Sequence, residues 1–368
     1  MRRLAVILVL LLGLAAAPAA ARSVPRGWLG VVVDGPLTRP GAAMDGEWDL
    51  MAGSGAESVR TAFYWPAVQP HSGAAPDLSR FDAVVLAAAR RNLPVLPIVT
   101  GTPGWAARRT GDETSPPRDT RTFTSFLRTL VARYGPAGSL WSEHPEVAPR
   151  PVREWQIWNE PNLTRYWTPP RGQGFARSYV KLLRAAHRAL TAADPGSRTI
   201  LAGLPNESWT ALRAIYRAGG RRWFDAVALH PYTGKPRNVV KLAELARREM
   251  RRAHDHAKPI WITELAWPAA VGTTKTTQGF ETTDRGQASR LGRGLKLLAR
   301  ARKRLRIERV YWYTWLSQEG SPNSFDYSGL RRLRGSETVS APALATFQAA
   351  ARRLEGCAKV LGDASRCG

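Results

Sequence analysis

Trp155-Gln156-Ile157-Trp158-Asn159-Glu160-Pro161-Asn162 runs an apolar strand directly into an Asn-Glu pair and then stops it with proline. A carboxyl group is thereby presented at a strand exit. Pro259-Ile260-Trp261-Ile262-Thr263-Glu264-Leu265-Ala266-Trp267 repeats the design further along, with a buried-looking strand that delivers a lone glutamate. Two carboxyls on two strand ends suit glycoside hydrolysis, in which one protonates the leaving oxygen while the other attacks the sugar.

Short β-rich runs alternate with helical patterns on both sides of these segments, the mark of parallel strands joined by crossover helices. Strands are expected over Trp28 to Val33, Ser58 to Tyr64, Leu93 to Thr100, Glu154 to Asn159, Thr199 to Leu204, Asp225 to His230, Pro259 to Thr263 and Val310 to Trp315. Helices are expected over Phe81 to Asn92, Thr120 to Tyr134, Phe175 to Ala193, Trp209 to Ala218, Val239 to Ala257, Arg285 to Arg304 and Ala341 to Leu354. The reading is α/β, a single-domain (β/α)8 TIM barrel over 22–356, with its site at the C-terminal strand ends. An open doubly wound sheet competes, but Asp34-Gly35-Pro36 stands where a glycine-rich phosphate loop would follow the first strand. Strand alternation puts Gln156, Trp158 and Glu160 on one side, and Ile260, Ile262 and Glu264 on one side, so both glutamates are expected in the barrel mouth.

Residues 1–21 read as a secretory signal peptide: Arg2 and Arg3, an apolar run from Leu4 to Leu14, then Ala19-Ala20-Ala21. That run is shorter than a bilayer-spanning helix needs, so a secreted protein, extracellular or cell-wall associated and without stable membrane insertion after cleavage, is expected, with an uncleaved N-terminal anchor as the alternative. Cys357 and Cys367 in the tail 357–368 could pair as a disulfide bond in an oxidising compartment. The 54 basic residues against 29 acidic give a net charge of +25, which would suit an anionic partner. Much of the excess is arginine spread over helices such as Arg285 to Arg309, whose leucines keep an apolar stripe, and solvated helix faces account for it.

The Trp-Asn-Glu-Pro-Asn string followed by Thr-Glu-Leu-Ala-Trp resembles the clan A superfamily of retaining glycoside hydrolases, family 39-like or family 5-like (cellulase-like), over the whole barrel. That resemblance implies Glu160 as general acid/base and Glu264 as nucleophile, with Asn159 hydrogen-bonded to the sugar 2-hydroxyl. It also implies that Arg60 and Tyr232 support the charge of Glu264, that His230 touches substrate or serves the core, and that Trp315 is an eighth-strand sugar platform. A cation and a phenol beside Glu264 would keep it ionised. Trp105 and Trp267, at or just beyond strand ends, are further candidates for stacking on pyranose rings.

Other motifs have simpler explanations. Asn206-Glu207 lies just before a helix and reads as helix-start chemistry. His254-Asp255-His256 points its imidazoles apart on a helix, unlike a metal-binding i, i+4 pair. No metal or organic cofactor is expected, and no nucleic acid; the expected partner is an oligo- or polysaccharide, neutral or acidic, cleaved by double displacement. The rival reading is a non-catalytic carbohydrate-binding barrel of the cell wall or matrix. Linkage, endo or exo attack and oligomeric state are not legible.

Overall fold

The computed structural model describes residues 22–38, 44–275 and 277–356. The leader 1–21 and both cysteines of the tail lie outside them. Nine parallel strand segments form one sheet: β1 (Leu29–Val32), β2 (Val59–Tyr64), β3 (Val95–Thr100), β4 (Glu154–Ile157), β5 (Arg198–Ile200), β6 (Leu204–Pro205), β7 (Val227–His230), β8 (Ile260–Leu265) and β9 (Ile307–Trp312). Their neighbour order is β5-β4-β3-β2-β1-β9-β8-β7-β6, so the two ends of the sheet are consecutive pieces of one strand. Ile200 bridges Ala226 just before β7, and the Leu201 N–H donates to the Ala226 carbonyl at 3.0 Å. The sheet therefore closes on itself as a (β/α)8 barrel with its fifth strand interrupted at Leu201-Ala202-Gly203.

The strands carry few polar residues because helices cover their outer face while side chains fill the inside. Thr120–Tyr134 and Phe175–Ala193 are helical over the expected bounds, and the first crossover contains a helix at Asp45–Gly53 that periodicity had not marked. Phe175–Ala193 shows how the pattern works: Tyr179, Leu182, Leu183, Ala186 and Leu190 are buried against the sheet, leaving its cations outside. Asp119 caps the first of these helices by accepting the Arg121 N–H at 2.9 Å, and Pro236 and Pro342 open later helices, where a missing N–H costs nothing. Among the described residues no helix is long and apolar enough to cross a membrane.

Inside the barrel, Val32, Leu96, Ile200, Ala226, Ala228, Trp261 and Tyr311 form a small apolar layer below the mouth. Its floor is held by charge: the Trp261 ring lies between Arg198 at 5.3 Å and Arg309 at 4.8 Å, and its indole N–H donates to Glu308 at 2.7 Å. Strand eight, expected over Val310 to Trp315, runs three residues earlier as β9. The chain after it forms a second sheet that the sequence reading did not foresee, with β10 (Leu316–Gln318) parallel to β11 (Arg331–Arg334) and β11 antiparallel to β12 (Glu337–Ser340).

The glycine at the break in the fifth strand has a steric reason. A Cβ on Gly203 would lie 1.9 Å from His230 Nε2, so only glycine lets the strand pass under that ring. Gly203→Ala should lower unfolding free energy by about 1–3 kcal/mol. Gly53, with nothing within 4 Å of its would-be Cβ, provides the control. Denaturant titration of both alanine variants checks this; equal stability of the two would show that the ring has room to move.

Candidate active site

The two glutamates do reach the barrel mouth, but not by simple alternation. On β8, Ile260 and Ile262 face the helices while Trp261 faces inward. Glu264 should then point outward. Instead the pairing with β9 slips: Ile262 is opposite Val310 but Leu265 is opposite Trp312, so three steps on β8 match two on its neighbour. This bulge turns Glu264 into the mouth. On β4 the regular strand ends at Ile157, and both Trp158 (φ 72°) and Glu160 (φ 45°) are left-handed, a conformation uncommon outside glycine. Trp158 is thereby sent outward onto Phe123 and Trp167, whereas Gln156 and Glu160 stay inside, so the expected common face of all three is corrected.

Arg60, from β2, is fully buried and ties the site together. Its Nε donates to Gln156 Oε1 at 2.7 Å, one terminal nitrogen to Glu264 Oε1 at 2.7 Å, and the other to Asn159 Oδ1 at 3.1 Å. Tyr232 donates its hydroxyl to Glu264 Oε2 at 2.5 Å. His230 Nδ1 lies 2.7 Å from Glu160 Oε1 and 3.4 Å from Glu264 Oε2, so one ring spans both carboxylates. In the neutral ring the proton sits on Nδ1, because Arg60, 3.5 Å from Nε2, can only donate. One carboxylate oxygen of each glutamate lies within 4.8 Å of the other and of the imidazole.

Burial pushes the Glu264 carboxyl up, but the adjoining His230 ring, the Arg60 guanidinium and the Tyr232 hydroxyl more than offset it and hold it below the usual range. Burial, with the negative charges of Glu264 and Glu160, pushes the Tyr232 phenol well above its ordinary value, so it remains a donor. Glu160 is 3 % exposed, and among the described residues its Oε2 has no hydrogen-bond partner, with Arg165 at 3.5 Å. Three groups here, Glu160, His230 and Glu264, are close enough to ligate a metal. The guanidinium of Arg60 already satisfies a Glu264 oxygen from inside, which suits an ion pair rather than a cation site.

These residues open on a cleft of about 360 Å³ lined also by Tyr64, Tyr166, Tyr313 and Phe325. Tyr232 stacks on Phe280 with centroids 5.3 Å apart. Two of the expected sugar platforms are corrected. Trp315 and Trp267 are fully buried: the first donates its indole N–H to Glu47 at 3.1 Å, the second donates to the Thr233 carbonyl at 2.5 Å, and neither offers a free face. Trp105 is half-buried, edge-on to Trp65 and hydrogen-bonded to the Gln69 carbonyl at 3.0 Å. The cleft's exposed aromatic surface is tyrosine instead.

Asp34 was missed as a site residue. It stands at the exit of β1, in the same cleft, and accepts the Thr314 hydroxyl at 2.7 Å. The signal was available: an apolar Leu-Gly-Val-Val-Val run ending in an acid, as at the two glutamates. Burial raises its pKa to about 6, with hydrogen bonds from Thr314 and Tyr313 opposing and Glu264 adding to the rise.

No family model matches the chain, and no curated protein matches it. Solved structures do. A family 39 glycoside hydrolase from the gut symbiont Bacteroides cellulosilyticus WH2 superposes with a TM-score of 0.63 at 20% identity, covering 90% of this chain and 64% of that one. A GH5_18 protein from Streptomyces cattleya, solved in complex with GlcNAc, gives 0.65 at 16% identity over 94% and 86%. This barrel has the fold of these glycoside hydrolases. A monomeric beta-xylosidase from Caulobacter crescentus CB15 gives 0.61 at 17% identity, over 89% of this chain and 69% of that one. The chain thus spans under two thirds of the length of the first of these glycoside hydrolases.

The raised pKa of Asp34 has a sign that can be tested. Its folded form holds a proton more tightly than its unfolded form, so the wild type should lose stability as pH rises from about 4 through about 6. Asp34→Asn should therefore be more stable than wild type by about 1–3 kcal/mol at pH 8, the gain fading below pH 4. Denaturant unfolding at the two pH values checks this; a variant less stable at pH 8 would show that the protein gains from the carboxylate.

Proposed function

We propose that the protein is an exported, retaining O-glycoside hydrolase acting on an oligo- or polysaccharide, outside the cell or at the cell wall, without metal or organic cofactor. The observation that carries the reading is the approach of Glu160 and Glu264 to within 4.8 Å, oxygen to oxygen, at the mouth of the barrel. Carboxyls about 5 Å apart leave no room for a water between base and sugar, so the second carboxylate must itself attack. The fold shared with solved glycoside hydrolases supports the same chemistry.

Glu264, kept ionised by Arg60 and Tyr232, attacks the anomeric carbon, while Glu160 gives a proton to the departing oxygen from its unpartnered Oε2. A covalent glycosyl-enzyme results. Water then enters on the vacated side, Glu160 takes its proton, and the sugar leaves with its original configuration. Asn159 spends its carbonyl on Arg60, which leaves its amide hydrogens to donate to the sugar 2-hydroxyl. The nearly complete burial of both carboxyls strengthens every charge that develops during transfer.

Reducing-sugar release from a panel of neutral and acidic polysaccharides and aryl glycosides tests activity. Glu264→Ala should abolish it on every substrate. Glu160→Ala should slow substrates with poor leaving groups far more than activated aryl glycosides. NMR of the first-formed product should show the anomer of the substrate, and the opposite anomer would end the double-displacement reading. Binding without release would favour the carbohydrate-binding barrel.

Tyr232→Phe removes the 2.5 Å hydrogen bond to Glu264 without changing the shape of the ring. Loss of one donor to a charged reacting group should lower kcat by about tenfold to a thousandfold. With that donor gone, the acid limb of the pH profile of kcat/KM should move upward, because Glu264 protonates more readily. A fall in kcat with an unmoved limb would place the hydroxyl on substrate rather than on Glu264.

A further inference from the structure

The outer face of the helix Phe175–Ala193 carries Arg177, Lys181 and Arg184, all exposed, at i, i+4 and i+7, one above another. Arg108, from the loop after β3, and Arg222, from the turn Gly220–Trp223, line the same groove of about 700 Å³, with Trp223 in its wall and no carboxylate among its lining residues. None of the five cations forms an ion pair or side-chain hydrogen bond among the described residues. Asp119, whose charge Lys181 feels, is held by its neighbour Arg121 at 2.8 Å. Elsewhere the chain pairs its arginines where it has acids, as Arg133 with Asp82 and Arg331 with Glu47, both at 2.7 Å. Five exposed cations round one concave surface make a concentrated positive patch, and one extended anionic ligand can meet all of them.

The groove also lies beside the cleft. Pro170 in its wall belongs to the loop whose Arg165 and Tyr166 line the cleft, and Pro116 and Pro117 belong to the loop whose Glu113 accepts the hydroxyl of the cleft's Tyr64. Those loops are strapped together, with the Thr168 N–H donating to the Thr114 carbonyl at 3.0 Å and the two hydroxyls 2.7 Å apart. Groove and cleft are the two sides of one strap.

We propose that this groove is a second glycan site, which binds a run of acidic polysaccharide bearing uronate or sulfate groups while another part of the chain lies in the cleft. The cations meet the acid groups; the half-buried Trp223 ring carries Arg188 at 5.1 Å from its centroid and forms wall rather than sugar platform. The choice of polysaccharide over nucleic acid rests on the glycosidase reading of the cleft; the anionic character of the ligand does not.

Affinity electrophoresis of the Glu264→Ala protein tests binding without consuming the polymer, so its outcome is independent of whether the cleft hydrolyses. Retardation by polygalacturonate or chondroitin sulfate, not by dextran, is expected, weakening about tenfold or more between 50 and 200 mM salt. The triple reversal Arg177→Glu, Lys181→Glu and Arg184→Glu should lower affinity by at least about tenfold, with the glutamine triple intermediate. In the otherwise wild-type protein, both should keep turnover of any short neutral glycoside that the unaltered protein cleaves. The same reversal at Arg293, Lys296 and Arg300, on the helix after β8, should change affinity far less. Equal loss from both reversals would reduce the effect to net charge, absence of retardation would end the proposal, and equally tight binding of single-stranded DNA would overturn the glycan assignment.

Discussion

A fully buried guanidinium is the constraint on which the barrel mouth depends. Arg60 has no water to solvate it, so each of its hydrogen-bonding edges must be met by protein, and Gln156, Asn159 and Glu264 meet them from β4, the turn after β4, and β8. These groups have partners of their own: Gln156 donates to the Leu201 carbonyl at 3.0 Å, at the break in the fifth strand. One cation thereby fixes the relative positions of four strands, and with them the distance between the two glutamates. Such a network is poorly suited to stability alone, since an apolar core would cost less to bury, and well suited to holding a carboxylate ionised at the barrel mouth.

The backbone departs from regularity where that network needs it to. The bulge in β8, the left-handed residues at 158 and 160 and the interruption at Gly203 all lie at the C-terminal ends of the strands, within the shell around Arg60 and His230. Left-handed non-glycine residues cost free energy, and they persist where surrounding contacts over-determine them. Here the Glu160 N–H is bonded to the Gly203 carbonyl at 3.1 Å, and its side chain is gripped by His230. The barrel supplies the rigidity, and the irregular segments aim the side chains.

This division explains what could be read from the residues and what could not. Both glutamates were legible because a lone acid at the end of an apolar strand is a local pattern, sharpened at Glu160 by the proline that follows, and the helices because burial on one face imposes a 3.6-residue period. The orientation of Glu264 was reached by an argument from alternation that the bulge in β8 invalidates, since a bulge leaves no mark in a run such as Ile-Thr-Glu-Leu. Trp315 and Trp267 looked like platforms because tryptophan beyond a strand end suits either a sugar or a core. Only the loops that cover them decide between the two, and here Glu47 and the Thr233 carbonyl take their indole N–H groups. Asp34 was passed over for lack of a phosphate loop, although its strand-to-acid pattern matched that of the glutamates.

Charge is distributed against this background in opposite senses inside and out. The cleft gathers three carboxyls, Asp34, Glu160 and Glu264, about one buried guanidinium, while the chain as a whole carries +25. A positive surround lowers the cost of carboxylates in the mouth, but salt screens exposed charges beyond about 10 Å, so the distant arginines on solvated helices contribute little at physiological ionic strength. What survives screening is short-range: the Arg60 contact to Glu264, and clustered cations that a ligand can touch. Net charge is therefore a poor guide to function in this chain, and the arrangement of cations with no acid beside them is a better one.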